Sequence, residues 1–274
     1  MRKLNYRLIV SDFDGTLLPR GGIISEDVKS AINEYVENGG IFCVCTGRMT
    51  ASIMPQVKKL GLKGLVIAYQ GTVIADIESG KIIKKGGLSC EQGQEICLAM
   101  ESQGKIINAY SDEVLYTTAG GGNRLIKKYE EITGITANHI DGCMSAYIRN
   151  NNLSCQKIIS VVPPEEKIPL YKFLCETLGE KYEVTYSSDV LVEVSPKGDD
   201  KGEALKFIAD FYHIPLEKTI ALGDNLNDLP MLLAAGLGVA VDNATEELKK
   251  RCDEVCPSCE DGGVGVIIRK YGFA

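Results

Sequence analysis

The feature that most constrains this chain is a repeated alternation of short apolar runs with amphipathic stretches. Arg7-Leu-Ile-Val-Ser-Asp12 is an apolar run ended by Asp-Gly turn chemistry and reads as a buried strand. Ser25 then caps a helix whose Val28, Ala31, Ile32, Tyr35 and Val36 share one face, and Gly39-Gly40 stops it. Ile41-Phe-Cys-Val-Cys45 is the next buried strand, followed by a helix containing Pro55 and the strand Leu65-Val-Ile-Ala68. Val73–Ala75 and Lys81–Ile83 form a predicted hairpin around Ser79-Gly80. Strand, helix, strand, helix, strand requires parallel pairing with right-handed crossovers.

The alternation breaks near Lys84-Lys85-Gly86-Gly87. Up to about Tyr186 the elements are mixed, with predicted helices at 89–103, 123–133 and 164–178 and strands at 105–110, 114–117 and 156–162. Parallel signals return after Val190-Leu-Val-Glu-Val194, with a helix from Lys201 to Tyr212, a strand from Thr219 to Leu222, a helix at 228–235, a strand at 238–241 and a last helix near 264–270. The expected fold is α/β, a Rossmann-like parallel-sheet core with an inserted α+β domain. The expected division is a discontinuous core at 1–84 and 186–274 and an insertion at 85–185, with chain crossings at Lys84–Gly87 and Tyr186–Asp189 about which the insertion would open and close.

At 274 residues, with 45% hydrophobic and 24% charged side chains, the chain suits a soluble globular protein that needs no staples. Its net charge of −7 argues against a nucleic-acid-coating surface. An anionic substrate stays admissible, because a bound divalent metal inverts the local field. The first apolar run is too short for a secretory or membrane segment, and several of the ten cysteines sit inside apolar runs. A reducing cytoplasm without a disulfide framework is therefore expected. Cys256-Pro-Ser-Cys259 has half a zinc knuckle's spacing and Cys252 adds a third thiol, but no nearby histidine supplies a fourth ligand, so no zinc site is assigned. His139 and His213 sit in a polar loop and at a helix end, and neither is assigned to catalysis.

Acidic clusters stand where strands end. In Asp12-Phe-Asp14-Gly-Thr16, residues two apart share a face, so Asp12 and Asp14 are expected to project together. Gly223-Asp224-Asn-Leu-Asn227-Asp228 follows the apolar Thr219–Leu222. The carboxyl ends of parallel strands form the ligand crevice of such sheets, and carboxylates gathered there need a cation, for which Mg²⁺ is the hard-oxygen choice. Cys45-Thr46-Gly47-Arg48 offers a hydroxyl and a glycine amide for phosphate oxygens, and Lys201 opens a helix as a point charge for phosphate.

With these four elements in this order, the sequence resembles the haloacid dehalogenase superfamily and, within it, the Cof-type phosphatases. Glu193-Val-Ser-Pro-Lys-Gly-Asp-Asp-Lys201-Gly202 is similar to its lysine motif, Glu260-Asp261-Gly262-Gly263-Val264 to its closing segment, and the insertion occupies the place of the Cof-type cap. The resemblance implies that Asp12 attacks phosphorus to give an aspartyl phosphate and that Asp14 is the acid and then the base. It implies Mg²⁺ held by the Asp12 side chain, the Asp14 backbone carbonyl and Asp224, with Asp228 in support. Thr46, Gly47, Lys201 and Asn227 would hold the phosphoryl oxygens, and Arg48 would orient Asp14 or the substrate. The partner implied is a small phosphorylated metabolite, foremost a sugar phosphate, with no nucleic acid and no membrane. One departure is Gln70-Gly71-Thr72 where the family often has Asn-Gly-Ala. Two other readings stay open. One is a phosphomutase, against which stand only Arg124 and Arg149 as arginines in the insertion; the other is a non-catalytic metal- or phosphate-binding regulator.

Overall fold

A computed structural model describes residues 2–186 and 190–274. The chain forms two compact units, one from residues up to Gly47, Ile53–Lys84 and Asp200–Ala274, the other from Arg48–Ser52 and Lys85–Asp199.

The first unit begins with β1 (Leu8–Asp12), α1 (Glu26–Glu37), β2 (Ile41–Cys45), α2 (Thr50–Lys59) and β3 (Leu65–Ala68), then β4 (Val73–Asp76) and β5 (Ile82–Lys85). Ser25 accepts a hydrogen bond from the Val28 amide and starts α1, as its sequence predicts. In the second unit follow α3 (Cys90–Ser102), β6 (Ile107–Ser111), β7 (Val114–Thr117), α4 (Arg124–Thr133), β8 (Asn138–His139), α5 (Met144–Asn151), β9 (Lys157–Val161), α6 (Pro164–Leu178), β10 (Tyr182–Thr185) and β11 (Leu191–Pro196). The chain then returns to the first unit with α7 (Lys201–Phe211), β12 (Thr219–Gly223), α8 (Leu229–Ala234), β13 (Leu237–Val241), α9 (Glu246–Lys249), β14 (Glu254–Cys256) and α10 (Gly263–Ile267).

The first unit's sheet runs β14-β13-β12-β1-β2-β3-β4-β5. The pairings from β14 to β3 are parallel, and β4 returns antiparallel to β3. β1 and β12 are buried along their whole length, the pattern of parallel strands covered on both faces. β1 lies between β12 and β2, and the chain leaves β1 to build one side of the sheet before returning to build the other. That is a topological switch point, and the carboxyl ends of β1, β2 and β12 converge there.

The second unit's sheet runs β10-β11-β9-β6-β7-β8, antiparallel except between β7 and β8. Ile96 and Met100 of α3, Ile148 of α5 and Leu174 of α6 pack with Ile107, Ala109, Ile158, Val192 and Val194 in one core. The Ser89 and Gln92 side chains form a capping box that sets the start of α3. Several details differ from the sequence reading. Leu191–Pro196 does not reopen the parallel sheet but pairs antiparallel with β9 and β10. The return to the first unit therefore falls between Asp199 and Asp200, not at 185–186. The cause is that a run of this length with Leu191, Val192 and Val194 buries apolar side chains in either sheet, so its apolar content does not say which sheet it joins. Of the crossing expected at Tyr186–Asp189, Ser187–Asp189 lie outside the described residues. α5 was not foreseen, because its N-cap Cys143 supplies no side-chain cap and its sequence lacks a start signal.

On the strand side chains that alternate away from that core, Lys157 of β9 and Glu193 of β11 form a buried ion pair at 3.0 Å, with exposures of 6% and 3%. Lys157 also lies over the Tyr110 ring at 5.2 Å. Removing one member of such a pair takes away the buried counter-charge of the other. Glu193→Ala is expected to cost about 3–5 kcal/mol of unfolding free energy, measured by denaturant titration.

Candidate active site

Asp12 ends β1 and is 5% exposed. The chain then turns at Gly15, whose φ of +84° suits glycine and where a Cβ would meet Asp224 Oδ2 at 2.6 Å. Phe13 packs into the core, while the Asp14 side chain is exposed. Asp224 follows β12 directly, and Asn227 and Asp228 lie in the short turn before α8. Thr46 follows β2 and is buried, with Gly47 next to it. Arg48 belongs to the second unit.

Lys201 is the first residue of α7, after Asp200, whose carboxylate caps the helix by accepting from the Glu203 amide. A cation is disfavoured at a helix N-terminus, so other charges must stabilise it there. Lys201 is 1% exposed, and its ammonium donates to Asp12 Oδ1 at 2.5 Å and to Asp228 Oδ1 at 2.6 Å. Asp228 Oδ2 accepts from the backbone amides of Asp224 and Asn225 at 2.9 and 3.0 Å. Both Asp228 oxygens are thus engaged by the protein, and Asp228 organises Lys201 and the Asp224 loop together. Burial works against the Lys201 charge, yet the Asp12 and Asp228 carboxylates overcome it and hold the ammonium well above the ordinary lysine range.

One carboxylate oxygen from each of Asp12, Asp224 and Asp228 lies within 4.8 Å of the others. Burial pushes Asp12 well above the usual carboxylate range against the pull of Lys201, and Asp228 and Asp224 add to the rise. Burial likewise raises Asp224 to about 7, helped by Asp228, opposed by Lys201 and helped again by Asp14. The donors are all hard oxygens, which fit a divalent cation of the Mg²⁺ or Mn²⁺ kind. Thr16 Oγ1 and Asn227 Oδ1 in the adjoining loops are buried without a hydrogen-bond partner among the described residues, as groups awaiting a ligand or water are. The side-chain cluster holds Asp12 and Asp224, expected as ligands, together with Asp228, expected in support. Asp14 was expected to contribute its backbone carbonyl, which a grouping of side-chain oxygens does not address.

Two residues that sequence reasoning did not single out as site residues hold the loops. Asn243, after β13, donates from Nδ2 to the Gly15 carbonyl at 2.7 Å and accepts from the Cys259 amide at 2.8 Å. Gln70, after β3, accepts from Asn227 Nδ2 at 3.0 Å. The only signal for Gln70 was its departure from Asn-Gly-Ala; Asn243 sits in an Asp-Asn turn with nothing to mark it.

A family-wide description of haloacid dehalogenase-like hydrolases matches residues 9–268. The chain belongs to that family. It is 28% identical to a 5-amino-6-(5-phospho-D-ribitylamino)uracil phosphatase of Bacillus subtilis over 96% of each chain. It is 26% identical to an HMP-PP phosphatase of Yersinia enterocolitica, covering 97% of this chain and 95% of that one. A solved haloacid dehalogenase-like hydrolase from B. subtilis superposes with a TM-score of 0.85 at 27% identity, over 96% of this chain and 99% of that chain. The chain is a phosphatase of this family, a phosphoric monoester hydrolase. Among the described residues no helix is long and apolar enough to cross a membrane.

An acid whose folded-state pKa is raised binds its proton more tightly in the folded chain. Asp224 therefore contributes stability that is full below its unfolded value, about 4, and is lost as pH rises to about 7. In chelator, Asp224→Asn is expected to melt higher than the parent at pH 8 and to match it more nearly at pH 4.5 (roughly the unfolded value). Adding a divalent cation at pH 8 is expected to raise the parent's melting temperature and to leave the variant's nearly unchanged.

Proposed function

We propose that the chain is a Mg²⁺-dependent phosphatase of small phosphorylated metabolites, sugar phosphates foremost, that works through an aspartyl phosphate on Asp12. The observation that carries this reading is the buried Lys201 ammonium bound to both Asp12 and Asp228 at the converging strand ends. It holds one Asp12 oxygen and leaves the other as the nucleophile.

In the first half-reaction the Asp12 oxygen attacks phosphorus, the bond from phosphorus to the ester oxygen breaks, and the Asp14 carboxylic acid protonates the departing alkoxide. In the second, the Asp14 carboxylate takes a proton from water, the water oxygen attacks phosphorus, and the bond to Asp12 breaks to release phosphate. Asp14 suits the exchange of protons with leaving group and water, because its side chain is exposed while Asp12 is buried. Thr46, Gly47, Lys201 and Asn227 would bind the phosphoryl oxygens, where charge stabilisation does most of the catalytic work. Asp12, Asp224 and the Asp14 carbonyl would hold Mg²⁺, Asp228 would support them, and Arg48 would orient Asp14 or substrate. Bound there, the ion would offset the charge of the carboxylates and of the phosphoryl group.

The second unit is proposed as the cap that supplies specificity, with residues 85–185 as its main part. The relatives' names, a 5-amino-6-(5-phospho-D-ribitylamino)uracil phosphatase and an HMP-PP phosphatase among them, support a small phosphorylated metabolite as substrate and leave sugar phosphates as the first class to assay. The mutase and regulator readings lose weight because the curated relatives named above are phosphatases.

Phosphate release from a panel of sugar phosphates and nucleotides tests the proposal. Turnover is expected with Mg²⁺, to vanish in chelator, and to fall on the order of 10⁴-fold or more in Asp12→Asn. Undiminished turnover in that variant, or in chelator, would remove Asp12 or the ion from the mechanism.

A further inference from the structure

The turn after β3 is strained in a way its sequence does not require. Tyr69 and Gln70 both have positive φ, +50° and +60°, and Gly71 follows at +112°. Side chains with a Cβ adopt that region at a cost in free energy, and such strain persists where surrounding structure demands it and gathers at functional sites. Three separate strand-end loops meet this turn. The Gln70 amide donates to the Thr46 carbonyl at 3.0 Å. The Gln70 carboxamide lies over Gly47, where a Cβ would come within 2.6 Å of its Nε2. Its Oε1 accepts from Asn227 Nδ2 at 3.0 Å. Gly71 packs against the N-cap of α7, where a Cβ would come within 2.3 Å of the Asp200 carbonyl oxygen, one residue before Lys201.

We infer that Gln70 is a positioning residue for phosphoryl transfer, acting through Asn227 and the Thr46-Gly47 loop. This rests on the proposed phosphoryl-binding role of those residues. A carboxamide can turn either its NH₂ or its carbonyl oxygen toward a neighbour, and only the NH₂ suits an anion. By accepting from Asn227 Nδ2, the Gln70 oxygen selects the orientation in which Asn227 keeps its second N–H for a phosphoryl oxygen. The same bond turns the Gln70 amide nitrogen toward Gly47, where it fills the space that the missing side chain leaves. Without Gln70, the Asn227 amide is free to reverse and set lone pairs against the phosphate, and the glycine loop loses its backing.

The test uses p-nitrophenyl phosphate as substrate and inorganic phosphate as competitive inhibitor, on the full chain with Mg²⁺. Gln70→Met keeps the volume and removes the acceptor; Gln70→Ala removes both. Each is expected to lower kcat/KM by about 10- to 100-fold, the scale of a small misplacement of binding groups. Each should also weaken inhibition by phosphate, with the melting temperature unchanged. Asn227→Ala should show the same losses, and the double variant Gln70→Met/Asn227→Ala should be no worse than Asn227→Ala alone, because one residue acts through the other. Wild-type kinetics in Gln70→Met, or losses that multiply in the double variant, would overturn the inference while leaving the phosphatase mechanism intact. An unimpaired Asn227→Ala would overturn it together with the phosphoryl role of Asn227. Turnover that survives Asp12→Asn is the separate outcome that fails the underlying reading.

Discussion

Three carboxylates and one ammonium share a buried site at the converging ends of β1 and β12 and the start of α7, and the rest of the first unit is arranged around the cost of keeping them there. Asp12, Asp224 and Asp228 repel one another, and burial works against the charge of Asp12 and Asp224. Lys201 offsets part of that cost, but three negative groups against one positive group leave an excess of negative charge. Burial and the neighbouring carboxylates together push Asp12 and Asp224 above the usual carboxylate range, against the pull of Lys201. A divalent cation bound among these oxygens would relieve that repulsion. The helix N-terminus opposes Lys201 and would not hold a cation for stability alone. Its position there is explained by the two carboxylates it binds.

The fold makes this crowding possible by placing β1 between β12 and β2, so that loops distant in sequence open into one crevice. Short polar contacts then tie the loops to one another. Asn243 holds the Gly15 carbonyl in the turn after Asp12, Asp228 gathers the backbone of Asp224 and Asn225, and the strained turn at Tyr69-Gln70-Gly71 joins the Thr46, Asn227 and Lys201 segments. Phosphoryl transfer asks a protein mainly for positioned charge and little covalent chemistry, and a lattice of this kind supplies position. The second unit is built differently, on an antiparallel sheet with helices against one face and a buried Lys157–Glu193 pair among the side chains that point the other way.

Much of this was legible in the sequence because the chemistry sits where apolar runs end. Asp12, Asp224 and Lys201 each stand at a boundary marked by glycine or a cap, and the first-unit strands that carry the site are too apolar to misread. What escaped follows from limits of the same signals. Leu191–Pro196 buries Val192 and Val194 as a core strand would, and its partners assign it to the antiparallel sheet. Asp228 was expected in support of the metal, but its four-way role with Lys201, Asp224, Asn225 and Asp12 depends on side-chain reach that spacing does not convey. Gln70 and Asn243 act across loops far apart in sequence, and an Asn or Gln in a turn is by default turn chemistry. Backbone strain at Tyr69 and Gln70 is invisible in composition, since neither residue type asks for positive φ.

The central claim is that Asp12 itself carries the phosphoryl group during turnover. The most direct measurement is to quench the enzyme in acid during steady-state turnover of a substrate found in the panel, reduce it with borohydride, and map its peptides by mass spectrometry. An acyl phosphate is reduced to an alcohol and a free carboxylate is not. Homoserine at position 12, dependent on substrate and absent from Asp14, Asp224 and Asp228, is the predicted result. Unmodified aspartate at position 12 under conditions of rapid turnover, or reduction at Asp14 instead, would contradict it.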